Sequence, residues 1–197
     1  MNKIKGQSIF DYSKFNTIKN FKDKNYTNFI KELKFLLEKK SGFVVLKNFN
    51  VNKKNLKKTE TKYLNFVSKL GLPLKQNKKG EKVAKVTNKG NKWSANNRGY
   101  MTKGSIPFHT DGGTYASLLC IENSSQGGKS ILTHANKIYA TLKKKFPKIL
   151  KILEKGFHYH TRGESLNNPN QVSKKKYPVF FHKNKILHCM FNKKPII

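Results

Sequence analysis

The stretch Ile106-Pro107-Phe108-His109-Thr110-Asp111-Gly112-Gly113 decides the reading of this chain. Its apolar start suits an extended segment, and the two glycines allow the backbone to turn sharply at its end. In extended backbone, positions i and i+2 point to one side and the residue between them to the other. His109 and Asp111 therefore converge, while Thr110 points away. An imidazole and a carboxylate on one face can grip a cation. They amount to two-thirds of the two-His-one-carboxylate triad that holds non-haem Fe(II) and leaves three coordination positions open. A surface His beside an Asp is the competing reading of the bare pair, so the flanking sequence carries the weight.

Downstream, Leu118-Leu119-Cys120-Ile121 reads as a buried strand, and Gln126-Gly127-Gly128-Lys129-Ser130 as a turn into a strand at Ile131-Leu132. A helix from about Asn136 carries Ile138, Tyr139 and Leu142. Pro147 starts a second helical piece that stops at Gly156. Phe157–Arg162, Val179–Phe181 and Ile186–Phe191 read as strands. Upstream, Tyr26, Phe29, Ile30, Leu33, Leu36 and Leu37 fall on one helical face, ended near Gly42. Phe43–Leu46 reads as a short buried strand and residues 55–70 as another helix, closed by Gly71 and Pro73. Residues 75–104 read as a long loop with a strand at Val83–Val86, and residues 1–24 as a polar, irregular extension. Helices first and short strands after them predict an α+β or jelly-roll domain.

The 197 residues suffice for one domain with a sizeable core. Apolar content is low at 36%, but 12% aromatics set the chain apart from a disordered one. No apolar run approaches the roughly 20 residues of a membrane span, and the start shows no secretory h-region. Cys120 and Cys189 form neither a disulfide framework nor a zinc pattern, which predicts reduced thiols and a cytoplasmic protein. The net charge is +32, and all but two of the 42 basic residues are Lys. Lysines neutralise phosphates, so a basic nucleic-acid-binding module is one alternative. They are spread along the whole chain, however, and the bidentate base and phosphate contacts that favour Arg have little to draw on. A Lys- and Asn-rich composition is also what AT-rich coding produces, and a solvated lysine surface is the plainer account.

The run Ile-Pro-Phe-His-Thr-Asp-Gly (106–112), then Leu-Leu-Cys-Ile (118–121), then Ser-Gln-Gly-Gly-Lys-Ser (125–130), resembles the taurine dioxygenase/TfdA-like Fe(II)- and 2-oxoglutarate-dependent dioxygenases. The likeness continues through Ala135–Leu142, Phe157 to Glu164 and Tyr177-Pro178-Val179-Phe180, and includes Gly42–Phe49 upstream. It covers roughly residues 28–197, most specifically 106–130. The resemblance implies a double-stranded β-helix, the clavaminate synthase-like jelly roll, with N-terminal helices, occupying residues 25–197 after the extension 1–24. It implies His109 and Asp111 as the first two iron ligands and Ser130 as the residue contacting the 2-oxoglutarate carboxylate; it assigns no further catalytic residue. The implied reaction hydroxylates a small organic substrate while 2-oxoglutarate is decarboxylated, with no membrane or specific nucleic-acid partner. The family places a distal His ligand and a 2-oxoglutarate-pairing Arg beyond the Tyr-Pro-Val-Phe region. This chain ends at Ile197 with no Arg after Arg162. The expectation is thus a truncated member missing its last strands, and an inactive fragment of the family is the second alternative. His134, His158, His160, His182 and His188 are the candidates for a replacement ligand, with His188 best placed by chain order. Arg162 and Glu164 suit pairing in a substrate loop, and Trp93, Arg98 and Tyr100 could line a pocket ahead of the metal motif.

Overall fold

The computed structural model describes residues 8–15, 24–77, 80–87, 106–160, 172–193 and 196. These fall into two compact units, one built from residues up to 84 together with 115–128, the other from 85–114 together with 129–197.

The first unit starts with strand β1 (Ser8–Asp11), helix α1 (Lys24–Lys39), strand β2 (Val44–Lys47) and helix α2 (Leu56–Leu70). Strands β1 and β2 pair in parallel, Ser8 opposite Val44 and Asp11 opposite Lys47. Parallel neighbours need a crossover of a dozen or more residues, which α1 supplies. Tyr26, Phe29, Ile30 and Leu33 form the buried stripe of α1, at the spacing the sequence predicts. The helix closes where Gly42, at φ 73°, donates its N–H to the Leu36 carbonyl at 3.2 Å. The Asn55 side chain caps α2 by accepting the Lys58 N–H at 2.9 Å.

Residues 8–15 differ from the polar, irregular reading of the N-terminus. A four-residue strand is too short to show a period, and its ladder partner lies beyond α1. Its neighbours Tyr12 and Phe15 are buried with Tyr26, Phe29, Ile30, Leu33 and Phe66. Five of these seven residues are aromatic. Tyr12 stands at the centre, its ring 4.9 Å from Phe49 and 5.2 Å from Phe66.

The expected strand Leu118–Ile121 does not form. Leu118 is 83% exposed. Polar contacts within the unit hold the surrounding stretch instead. Tyr63 donates its hydroxyl to Ser117 Oγ at 2.7 Å, Tyr115 donates to the Glu38 carboxylate, and Lys53 pairs with Glu122. The Glu38 carboxylate pushes the Tyr115 phenol up to about 12. Residues 80–87 are irregular, so the strand expected at Val83–Val86 is absent as well.

The second unit contains α3 (Ala135–Lys145), α4 (Pro147–Lys155) and an antiparallel hairpin of β3 (Phe180–Lys183) and β4 (Ile186–Cys189). Pro147 opens α4, where a missing N–H costs nothing. Asn184 and Lys185, at φ 52° and 64°, make the tight hairpin turn. Leu150, Val179 and Phe180 are buried, with Tyr139, Leu142, Leu153, Phe157, Leu187, Cys189 and Phe191 packed around them.

The strand expected at Ile131-Leu132 is irregular, and its two side chains are 73% and 63% exposed. The described part of the strand expected at Phe157–Arg162 shows only isolated bridges, Phe157 to Tyr177, Tyr159 to Ile196 and His160 to Val172. An apolar run marks surface to be covered, but a strand also needs a neighbour to complete its ladder. Among the described residues the helices far outweigh the strands, and two separate two-stranded sheets stand where the resemblance implies a jelly roll. The α+β expectation matches these helices and small sheets, and no closed barrel is present among those residues.

The two cysteines differ in access. Cys120 is exposed, whereas Cys189 is half-buried and burial pushes its thiol up. Maleimide should label Cys120 in the native protein, and Cys189 far more slowly until denaturant is added. Equal native rates, followed by mass spectrometry, would contradict this.

Candidate metal centre

Phe108 leads into a short extended piece that lies antiparallel to the chain after β4, bridging His109 to Asn192. The Thr110 N–H donates to the Phe191 carbonyl at 2.7 Å, and the Phe191 N–H donates to Thr110 Oγ1 at 2.9 Å. Thr110 thus faces away from the pair flanking it, as the alternation of extended backbone requires. On the other face His109 Nε2 and Asp111 Oδ1 stand 3.5 Å apart.

The second ring nitrogen has a partner of its own. His109 Nδ1 lies 2.8 Å from the Pro107 carbonyl oxygen. A carbonyl only accepts, so Nδ1 carries the hydrogen, and in the neutral ring Nε2 keeps its lone pair. With the ring neutral, Nε2 and the Asp111 oxygen are two acceptors that one cation can bridge; with Nε2 protonated the same contact is an ion pair. Metal–nitrogen and metal–oxygen bonds of this kind are about 2.1 Å long, and a 3.5 Å gap lets one ion touch both atoms. A histidine ligand whose far nitrogen is pinned to a carbonyl is the usual second-shell pattern of protein metal sites. The donor set therefore fits a first-row divalent ion. The His109 and Asp111 side chains are 37% and 65% exposed, so an ion can enter from solvent.

Among the described residues no group of three His, Cys, Asp or Glu side chains forms around this pair. The other histidines have separate work. His134 caps α3 by accepting the Asn136 N–H at 3.3 Å, and His158 is 2.7 Å from the Ser173 carbonyl. His182 packs edge-on against Tyr139, His188 stacks on Phe181 at 5.0 Å, and His160 bridges Val172. His188, best placed by chain order, belongs to no group of three such side chains among the described residues. Ser130 lies in an exposed irregular stretch after Gly127 and Gly128, both at positive φ as their turn requires. No hydrogen bond joins Ser130 to His109 or Asp111. Trp93, Arg98, Tyr100, Arg162 and Glu164 lie outside the described residues.

The sequence reading missed Phe191 and the Pro107 carbonyl. Pro107 was visible only as part of an apolar run. Phe191 is 81 residues from Thr110, and no local pattern announces that pairing.

The family model for the taurine catabolism dioxygenase TauD, TfdA family matches residues 14–195. The chain belongs to this TauD/TfdA family. A curated relative, the FR-33289 synthase of Streptomyces rubellomurinus (strain ATCC 31215), is 32% identical over 124 residues. That match covers 62% of this chain and 36% of the relative, so the TauD/TfdA chain described here spans little more than a third of its relative's length. No solved structure matches the chain. Among the described residues of this TauD/TfdA protein, no helix is long and apolar enough to cross a membrane.

Proposed function

We propose that this TauD/TfdA chain takes part in the Fe(II)- and 2-oxoglutarate-dependent hydroxylation of a small organic substrate. His109 and Asp111 would supply two of the iron ligands, and Ser130 a contact to a 2-oxoglutarate carboxylate. The observation that carries the reading is the pinned imidazole of His109, whose Nε2 faces the Asp111 carboxylate at 3.5 Å. When bound, the iron and 2-oxoglutarate supply the oxidising chemistry: one oxygen atom of O₂ enters the substrate C–H bond, the other enters succinate, and carbon dioxide leaves.

The chain's own residues hold and orient. The Pro107 carbonyl holds the hydrogen on Nδ1 and fixes the ring so that Nε2 is the nitrogen turned toward Asp111. Asp111 brings one negative charge to offset part of the ion's +2. Gly112, with no neighbour within 4 Å of where a Cβ would stand, leaves open space beside the carboxylate. We place the double-stranded β-helix of the family in the complete catalytic domain, its third ligand and 2-oxoglutarate-pairing Arg coming from outside the described residues. We also place the protein in the cytoplasm, where Cys120 and Cys189 stay reduced, with a small molecule rather than a specific nucleic acid as its partner.

Anaerobic titration with Fe(II) and 2-oxoglutarate should give the weak visible charge-transfer band of the iron chelate, and Asp111→Ala should abolish it. Absence of the band in the wild-type chain, or iron binding untouched by Asp111→Ala, refutes the proposal. A second reading, a family member that binds metal without turnover, is favoured by the lack of a third ligand among the described residues. It predicts the band without succinate formation.

A further inference from the structure

We propose that Thr110 is the positioning residue of this metal centre: its hydroxyl, clamped to the main chain of Phe191, sets the geometry at which His109 and Asp111 meet a divalent cation. This rests on the metal reading of the pair.

In a regular strand, side chains two positions apart start roughly 6.6 Å from each other, twice the rise per residue. His109 Nε2 and Asp111 Oδ1 close that gap to 3.5 Å, so their separation depends on the direction in which the backbone presents each side chain. A hydrogen-bonded antiparallel pair normally exchanges two main-chain bonds. At Thr110 the first bond is regular, its N–H donating to the Phe191 carbonyl at 2.7 Å. The return bond is not: the Phe191 N–H goes to the Thr110 hydroxyl at 2.9 Å, where a regular ladder would offer the carbonyl of residue 110. The hydroxyl takes the carbonyl's place in the ladder. The clamped hydroxyl, rather than that carbonyl, then ties the backbone between the two ligands to Phe191.

Phe191 gives the clamp a firm anchor, because it packs against the buried group of Leu150, Val179 and Phe180. Only a side chain with an oxygen at this position can do the work. Valine has the same shape but would leave the Phe191 N–H without that acceptor and the backbone free to re-pair through the carbonyl of residue 110. The ligand pair would then splay while the fold around it persists.

The test is Mn(II) binding by the full chain, followed through water-proton relaxation and through the rise in melting temperature that Mn(II) produces. Thr110→Val should weaken binding about 10- to 100-fold, the range seen when an outer-shell support is removed, and should lose the Mn(II)-induced rise. Thr110→Ser keeps the oxygen and should recover most of both. A residue that merely supported the fold would lower the melting temperature without metal and leave Mn(II) affinity unchanged. Wild-type affinity in Thr110→Val overturns the clamp. Should that variant fail to fold, hydrogen exchange in the wild type decides: Mn(II) should slow exchange at the Phe191 amide, and unchanged exchange overturns the clamp. Failure of the underlying metal reading looks different, with the wild type and His109→Ala binding Mn(II) alike.

Discussion

Gly156→Ala should destabilise the unit built on α3, α4 and the β3–β4 hairpin by about 3 kcal/mol or more. Gly156 sits at φ 78°, where a side chain is already strained. Its Cβ would stand 2.1 Å from the Tyr177 carbonyl oxygen, 2.3 Å from that carbonyl carbon and 2.5 Å from the Pro178 nitrogen. All three are main-chain atoms and cannot swing aside as the tip of a lysine can. They are also tied in place. Phe157 N–H donates to the Tyr177 carbonyl at 3.1 Å, Tyr177 N–H returns a bond to Phe157 at 2.9 Å, and Val179 N–H donates to Leu153 at 2.8 Å. Gly127 is the internal control. Its φ is 74°, but nothing lies within 4 Å of its Cβ position, so Gly127→Ala should cost only the conformational penalty of about 1 kcal/mol. Urea midpoints of the two variants measure the difference. Equal midpoints would show that the close approach at Tyr177 does not constrain the chain.

The second large effect belongs to Tyr12. It is 2% exposed, and four rings surround it: Phe49, Phe66, Phe15 and Phe29 at 4.9, 5.2, 5.7 and 6.0 Å. Tyr12→Ala removes the ring on which the others converge and should cost about 3–5 kcal/mol. That is a large share of the roughly 5–15 kcal/mol by which an ordinary domain is stable. Tyr12→Phe keeps the ring and loses only the hydroxyl contact to Tyr26, 3.4 Å away, at about 1 kcal/mol. Hydrogen exchange at the amides of α1 and α2 reads both variants.

The same site sets a pH dependence. Burial pushes the phenols of Tyr12 and Tyr26 up. The folded chain therefore holds these protons more tightly than the unfolded one. The stability they contribute is complete below the ordinary tyrosine value of about 10 and is lost as pH rises above it. The α1–α2 core should loosen in alkali, and Tyr12→Phe, with one buried phenol fewer, should show a shallower loss. An unchanged slope would assign the alkaline loss to other groups.

Helices were legible where the apolar spacing was long and regular. Tyr26, Phe29, Ile30 and Leu33 announced α1, and Pro147 and Gly156 bracketed α4. These signals are local, because a helix satisfies its own backbone. Strands do not, and Leu118 and Ile131 show the consequence: apolar and of plausible length, they stay exposed for want of a ladder partner. β1 is the reverse case, with too little pattern of its own and a partner supplied by β2. At the metal centre the convergence of His109 and Asp111 followed from the two-residue alternation alone. The hydrogen-bond partners that orient them did not, since the Phe191 contact depends on a return of the chain from far downstream.

That contact spans 81 residues, which gives the metal centre a place in time. A ribosome adding about 5–20 residues per second needs roughly 4 to 16 s to travel from codon 110 to codon 191. Throughout that interval His109 and Asp111 are already polymerised, yet the strand that braces them does not exist. On the proposed metal reading, the nascent chain should therefore be a poor competitor for iron, and cation loading should follow translation of Phe191.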